Sequence, residues 1–409
     1  MNKTRSEKTS AFFSPTGFRD LVSGRRRGAM ATALRGTLAA VEVPYTWAVR
    51  WRNRGYDRGL SAVYRVDVPV ISVGNLTLGG TGKTPMVEWI VRQFLAQGKI
   101  VGIISRGYGT HGGPNDEALE LAWKLPGVPH VQNPDRVAAA QRAIEEHKCQ
   151  VLVLDDAFQH RRIARDLDIV LLDALEPLGF GHVFPRGTLR EPVEGLARAN
   201  VVVLSRADLL TAEQRETIRN RVAKLSPQAA WIEVVHAPLA LVAVEQGMRE
   251  AGEMLKDSSE KNSPLPLMGE GQGVKGYPRK TRNSFWTGAT LQQRPLETLR
   301  GQRVLAFCGL GNPAGFRHTL EVCGYDVVEF HEFPDHHAYG PSELNVLAAA
   351  ARRTGVEALV CTQKDLVKIG VDRIGDRPLW AIRVGIDFLS GQEWFEKTLR
   401  IGDLNVHLR

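Results

Sequence analysis

The sequence predicts an α/β fold: a P-loop NTPase-type core with a mainly parallel sheet, a smaller C-terminal α/β domain and an N-terminal amphipathic helix. Short apolar runs alternate with helical patterns from Val68 onward, as in a parallel sheet covered on both faces. A glycine-rich loop stands between one such run and the helix after it. Excess positive charge is confined to residues 1–60, which hold twelve Lys/Arg against four Asp/Glu.

That imbalance accounts for the whole net charge of +8 in the 409-residue chain. Nucleic acid is therefore not an expected partner, since its binders spread charge over a folded face with interleaved aromatics. With 43% hydrophobic and 24% charged residues, the composition is globular and the length suffices for two domains. Cys149, Cys308, Cys323 and Cys361 show no CxxC spacing, so free thiols are expected rather than a disulfide framework or zinc site. The N-terminal residues show no signal-peptide pattern, and no run of eighteen uncharged apolar residues is present to span a bilayer.

Taken in order, residues 1–60 read as a basic helical segment. Within 28–53, Met30, Leu34, Leu38 and Val41 share a helical face, with an interruption expected near Pro44. Arg25, Arg26 and Arg27 precede this stretch, Arg50, Arg52 and Arg54 end it, and Trp47 and Trp51 lie nearby. The pattern fits a helix on an anionic membrane surface or a helix packed on the core. Residues 61–245 form the expected P-loop core, with strands at 68–73, 100–105, 151–154, 168–172 and 200–205. Helices are expected over Met86–Gln97, over Asp135–His147, and from a Thr211/Gln214 capping box through Leu225. Residues 246–300 read as an insertion or linker, because Ser263–Pro278 carries three Pro and four Gly without periodicity. Over 301–409 the alternation resumes, with strands at 303–308, 326–330, 358–362 and 379–384 and a helix from Asn312.

The chemistry centres on "TLGGTGKT", Thr77–Thr84. Gly79, Gly80 and Gly82 let the backbone turn N–H groups around phosphate oxygens, with Leu78 and Thr81 completing the loop. Lys83 can reach the outer phosphates, the Thr84 hydroxyl can ligate Mg²⁺, and the following helix adds its positive end. Thr77 stands where the strict pattern has its first glycine. The strand "VLVLDD" ends in Asp155 and Asp156, the place where a P-loop enzyme holds its metal. The residues do not rank the two. Asp116 fits either a proton acceptor or a helix cap, and Lys364 in "TQKD" either a phosphate contact or a solvated side chain.

Taken together, "VGNLTLGGTGKTP", "SRGYG", "NDE", "LDDAFQHRRIARDLDIVLLD", "GNPAGF", "DHHAY" and "TQKD" resemble the tetraacyldisaccharide 4′-kinase family, in its order and over about residues 30–370. The resemblance implies a kinase at the cytoplasmic face of the inner membrane of a Gram-negative bacterium. It would act as a monomer, transferring the γ-phosphate of ATP to the 4′-hydroxyl of tetraacyldisaccharide 1-phosphate, with Mg²⁺. It implies a nucleotide loop at Thr77–Thr84, metal ligands at Thr84, Asp155 and Asp156, and a general base at Asp116. It also implies a partner histidine at His336, with His337 adjacent, and a membrane role for the N-terminal helix. The family's usual "GDEP" is "NDEA" here, which keeps the Asp, and its usual "TEKD" has Gln363. Two other classes stand beside it: a soluble P-loop GTPase or metallochaperone-like regulator, suggested by "LSRAD" at 204–208, and a non-catalytic membrane adaptor.

Overall fold

The computed structural model describes residues 15–107, 116–245, 291–335 and 337–400. The expected linker tract 256–285 and His336 lie outside them. The chain opens with helices α1 (Pro15–Val22) and α2 (Ala29–Asp57). The first unit then follows as β1 (Val70–Asn75), α3 (Lys83–Ala96), β2 (Val101–Ser105), α4 (Asp116–Lys124), β3 (His130–Gln132), α5 (Arg136–His147), β4 (Val151–Asp155) and β5 (Leu167–Asp173). It continues with β6 (Val201–Ser205), α6 (Ala212–Leu225) and β7 (Ala230–Val244). The second unit holds β8 (Leu291–Arg294), β9 (Arg303–Cys308), α7 (Pro313–Cys323), β10 (Asp326–Glu332), α8 (Pro341–Thr354), β11 (Ala358–Thr362) and α9 (Gln363–Ile369). The last elements are β12 (Arg373–Ile374), β13 (Arg377–Ser390) and α10 (Gln392–Thr398).

One sheet carries both units, in the order β10-β9-β11-β13-β7-β6-β5-β1-β4-β2-β3. β1, β2, β4, β5 and β6 are buried along their whole length, as expected of parallel strands covered on both faces. The seam is the antiparallel pair β7–β13, which runs from Ala381 opposite Val242 to Ser390 opposite Glu233. Pro238 sits inside β7 at a register shift opposite Val384, where a missing N–H is tolerated.

The helices start where their chemistry directs. Asp135 caps α5, its Oδ1 accepting from the N–H of Val137 at 3.0 Å, and Thr211 opens α6 with a capping box.

Three expectations change. Residues 291–294, assigned to the linker, form β8 and pair with β7. The helix expected to break near Pro44 runs unbroken through it, since proline removes one N–H and the carbonyl it would have met belongs to exposed Ala40, where water can serve. The boundary at residue 301 also fails to separate one core from another. Phe395 and Leu399 are buried in the same hydrophobic core as Phe94 and Ile90 of α3, and Trp89 stacks on Phe395 at 5.1 Å.

Candidate active site

The loop between β1 and α3 is held from behind. Leu78 N–H donates to the Thr188 carbonyl at 2.7 Å and Arg190 N–H to the Leu76 carbonyl at 2.6 Å. The carbonyl of Gly80 accepts from Arg206 Nη2 at 2.9 Å, and that of Thr81 from Ser205 Oγ at 2.8 Å. Because a trans peptide sets its C=O and N–H on opposite sides, the amides of Thr81 and Gly82 face the other way, into a cleft. Gly79 (φ 120°) and Gly82 (φ 84°) occupy conformations that favour glycine, and Gly82 is the cap from which α3 starts.

The cleft encloses about 170 Å³ and is shared by both units. Gly80–Pro85, Glu117, Glu120, Asp155 and His236 line it from the first unit, and Leu310, Asn312, Phe316, Gln363 and Lys364 from the second. Of the eight expected loop residues, Gly80–Thr84 line it directly, whereas Thr77 and Leu78 dock on the segment 188–189.

The two consecutive aspartates have different environments. Asp156 lies in the left-handed region (φ 53°) and its carboxylate is taken by Arg190 Nη1, at 2.7 and 2.8 Å, with Lys83 Nζ at 3.5 Å. Burial opposes its charge, but Lys83 and Arg190 hold it far below the usual carboxylate range. Asp155 is 3% exposed and its Oδ1 is buried without a partner among the described residues. Burial, reinforced by Glu117 and Asp156, pushes its carboxyl up to about 7 against the pull of Lys83.

Asp116 opens α4. Its Oδ1 accepts from the Glu117 N–H at 3.2 Å, and its Oδ2 stands 3.6 Å from Lys364 Nζ and 3.8 Å from Lys368 Nζ. It is therefore both a helix-terminal acceptor and the partner of two ammonium groups from α9. Lys364 also pairs with Asp335 at 3.2 Å. Although burial works against its charge, Asp335, Asp116 and Glu117 raise the lysine above its ordinary value.

His337 stacks on Phe333 at 4.8 Å and meets Tyr339 edge-on at 5.0 Å, as a packing residue does. His236 of β7 presses against the loop: a Cβ on Gly82 would fall on its Nε2. Burial pushes this imidazole well below its ordinary range, and Arg206 and Lys124 add to the effect. Sequence reasoning missed Arg190, Arg206 and His236, which follow no spacing rule. Glu117 carried a signal, within "NDE".

The "LSRAD" segment is occupied in another way. Arg206 pairs with Asp173, and Asp208 Oδ2 lies 2.9 Å from His318 Nε2 of α7.

Residues 34–401 match a family model described as Tetraacyldisaccharide-1-P 4′-kinase. A tetraacyldisaccharide 4′-kinase of Anaeromyxobacter dehalogenans (strain 2CP-C) is 36% identical over 394 residues, 91% of this chain and 92% of its own. One from Geobacter sulfurreducens is 35% identical over 391 residues, 90% of this chain and 94% of its own. The crystal structure of LpxK from Aquifex aeolicus in complex with ATP is similar at a TM-score of 0.62 and 25% identity, covering 92% of this chain and 99% of that one.

Proposed function

The chain belongs to the tetraacyldisaccharide 4′-kinase family, and on that premise we propose that its reaction is assembled across the seam between the two units, with Asp116 taking the acceptor's proton. The protein is an ATP-dependent kinase that phosphorylates the 4′ position of the lipid A precursor, tetraacyldisaccharide 1-phosphate. The GTPase-like regulator is not favoured, because Asp208, the acid that a guanine-reading loop would turn to its base, is bound to His318. The observation that carries the proposal is the shared cleft, with loop amides, Lys83 and Thr84 on one wall and Lys364 on the other.

The roles follow from the contacts. The amides of Thr81 and Gly82 with Lys83 cradle the phosphates, and Asp156 with Arg190 presets Lys83. Mg²⁺ fits the donor set of the Thr84 hydroxyl and the Asp155 carboxylate, whose buried Oδ1 has no other partner among the described residues. When bound, it would neutralise phosphate charge. Asp156 does not share that role in this reading, since arginine and lysine take its oxygens. Asp116 accepts the hydroxyl proton as the sugar oxygen bonds to phosphorus and the bridging oxygen leaves with ADP. His336 is assigned as its partner, because Phe333 and Tyr339 engage His337.

α2 brings the acceptor. Val43, Trp47 and Trp51 are 68%, 65% and 70% exposed, and Arg50, Arg52 and Arg54 lie on the same helix. Tyr45 donates to the Arg190 carbonyl at 3.3 Å and Asn53 to Glu191 at 2.8 Å, so the opposite face of the helix docks beside the Asp156 support and leaves the tryptophans pointing outward. No described helix is long and apolar enough to cross a membrane. Binding at an anionic membrane surface accords with these features.

The test is ATP-dependent phosphate transfer to tetraacyldisaccharide 1-phosphate in detergent micelles. Asp116→Ala should lower turnover by about 10²-fold or more. Near-normal turnover would remove Asp116 from the mechanism.

A further inference from the structure

Resting on the phosphoryl-transfer reading above, we propose that Lys364 is a catalytic residue: the second unit supplies it to neutralise the phosphoryl group in transit.

Lys364 lies on the cleft wall shared with Lys83, Thr84 and Asp155, although it arises from a different unit. Its side chain is only 12% exposed and is positioned by Asp335 at 3.2 Å and Asp116 at 3.6 Å. The turn that presents it is fixed. The Thr362 hydroxyl caps α9 by accepting from the Asp365 N–H at 3.2 Å. Asp365 is fully buried and accepts from the Gly309 N–H at 3.1 Å and the Tyr339 hydroxyl at 3.0 Å.

Charge counting gives the lysine its task. Asp116 has two ammonium neighbours, and Lys368, 3.8 Å away, is tied to Asp365 at 3.2 Å. The Asp116 carboxylate therefore does not face Lys364 alone. In the transfer step the hydroxyl proton passes to the Asp116 carboxylate, the sugar oxygen–phosphorus bond forms, and the bond from phosphorus to the bridging oxygen breaks. ADP leaves with that electron pair. Protonation removes one of the two carboxylate charges that face Lys364, leaving Asp335 to hold the side chain in place, while negative charge spreads over the equatorial phosphoryl oxygens. The ammonium, unchanged in protonation, faces the γ-phosphate across the cleft before transfer, and its attraction to those oxygens strengthens as the base is spent. Base and charge neutraliser are thus coupled through one ion pair, and a low-dielectric cleft makes that coupling strong.

The experiment compares the wild-type protein with Lys364→Met, Lys364→Arg and Lys368→Met. Turnover is measured with the lipid acceptor in micelles, and Mg²⁺-dependent affinity is measured for ADP and for a non-hydrolysable ATP analogue. Lys364→Met should lower kcat by about 10²-fold and weaken the analogue by about tenfold, with ADP affinity held within about twofold. Lys364→Arg should recover most of the turnover, and Lys368→Met should keep the wild-type ratio of analogue to ADP affinity. A residue that merely supports the fold would weaken both nucleotides together, and that result overturns the proposal. So does a Lys364→Met kcat within about threefold of wild type. If the Met variant does not fold, Lys364→Gln is read by the same ratio. Absence of transfer by the wild-type protein would instead sink the kinase reading itself.

Discussion

Arg190 Nη1 holds both oxygens of Asp156, at 2.7 and 2.8 Å, while Lys83 stands 3.5 Å from the same carboxylate. The phosphate-loop lysine is thus aimed by an acid that is itself aimed by an arginine. That arginine's backbone N–H also ties down the loop, through the Leu76 carbonyl.

Arg190→Met removes a charge-assisted contact worth about 1.5–3 kcal/mol. The kcat/KM for ATP should fall by about 10- to 100-fold, the same energy read as a rate. Arg190→Lys keeps the charge without the planar fork and should fall between the two. Steady-state kinetics at saturating acceptor decide it, and unchanged values would show that Asp156 holds Lys83 unaided.

Gly82→Ala forces a side chain into the left-handed region at φ 84° and onto His236 Nε2. The backbone strain costs about 1 kcal/mol and the collision adds to it. Nucleotide affinity should drop at least tenfold, roughly 1.4 kcal/mol. The double variant with His236→Ala should recover only the loss due to the collision. Calorimetric titration with an ATP analogue separates the two contributions.

Trp47 and Trp51 stack at 6.1 Å on the outer face of α2. Replacing both with Ser should weaken binding to anionic vesicles by at least tenfold, since burying a large apolar side chain stabilises by about 1.5–3 kcal/mol. ADP affinity should not change. Equal vesicle recovery of variant and wild type would show that this face does not meet lipid.

His130 Nε2 lies 2.9 Å from Ser105 Oγ, and burial lowers its pKa from 6.5 to about 4. Between those values the unfolded chain takes up a proton that the native protein does not. The stability from the neutral ring is complete above pH 6.5 and is lost as pH falls toward 4. His130→Gln should flatten the stability–pH curve across this window. Urea midpoints at several pH values test it, and parallel curves would count against the buried neutral ring.

Phe395 is fully buried against the α3 face, where Trp89 stacks on it. Phe395→Ala should destabilise by about 3–5 kcal/mol. Because α3 grows from the phosphate loop, thermal unfolding followed by nucleotide fluorescence should show the loss in the first unit. A transition confined to the second unit would contradict the shared core.

Most of the parallel strands were legible because each is a short apolar run next to a helix, a pattern that burial on both faces imposes locally; β3, with Val131 as its one buried side chain, was not. β7 was not legible as a strand, since His236 and Pro238 interrupt its pattern and its pairing with β13 joins residues far apart in sequence. At the site, the glycines, Lys83 and Asp116 could be found because phosphate binding and the "NDE" motif fix residue types at fixed spacing. Asp155 and Asp156 could not be ranked, because their difference lies in Arg190, 34 residues beyond Asp156. Lys364 was visible as a residue but not as the partner of Asp116, since that pair is made by packing α9 on α4.

The packing of α10 on α3 also bears on the order in which the core is assembled. The ribosome makes the phosphate loop more than 300 residues before Phe395, so β1, β2 and β4 can cover most of the apolar face of α3 while Trp89 waits for its aromatic partners. A chain cut short after the first unit would retain every loop glycine and still lack its aromatic cover. Trp89 would then meet water instead of Phe388 and Phe395, so β13 and α10 finish a core that the first unit begins.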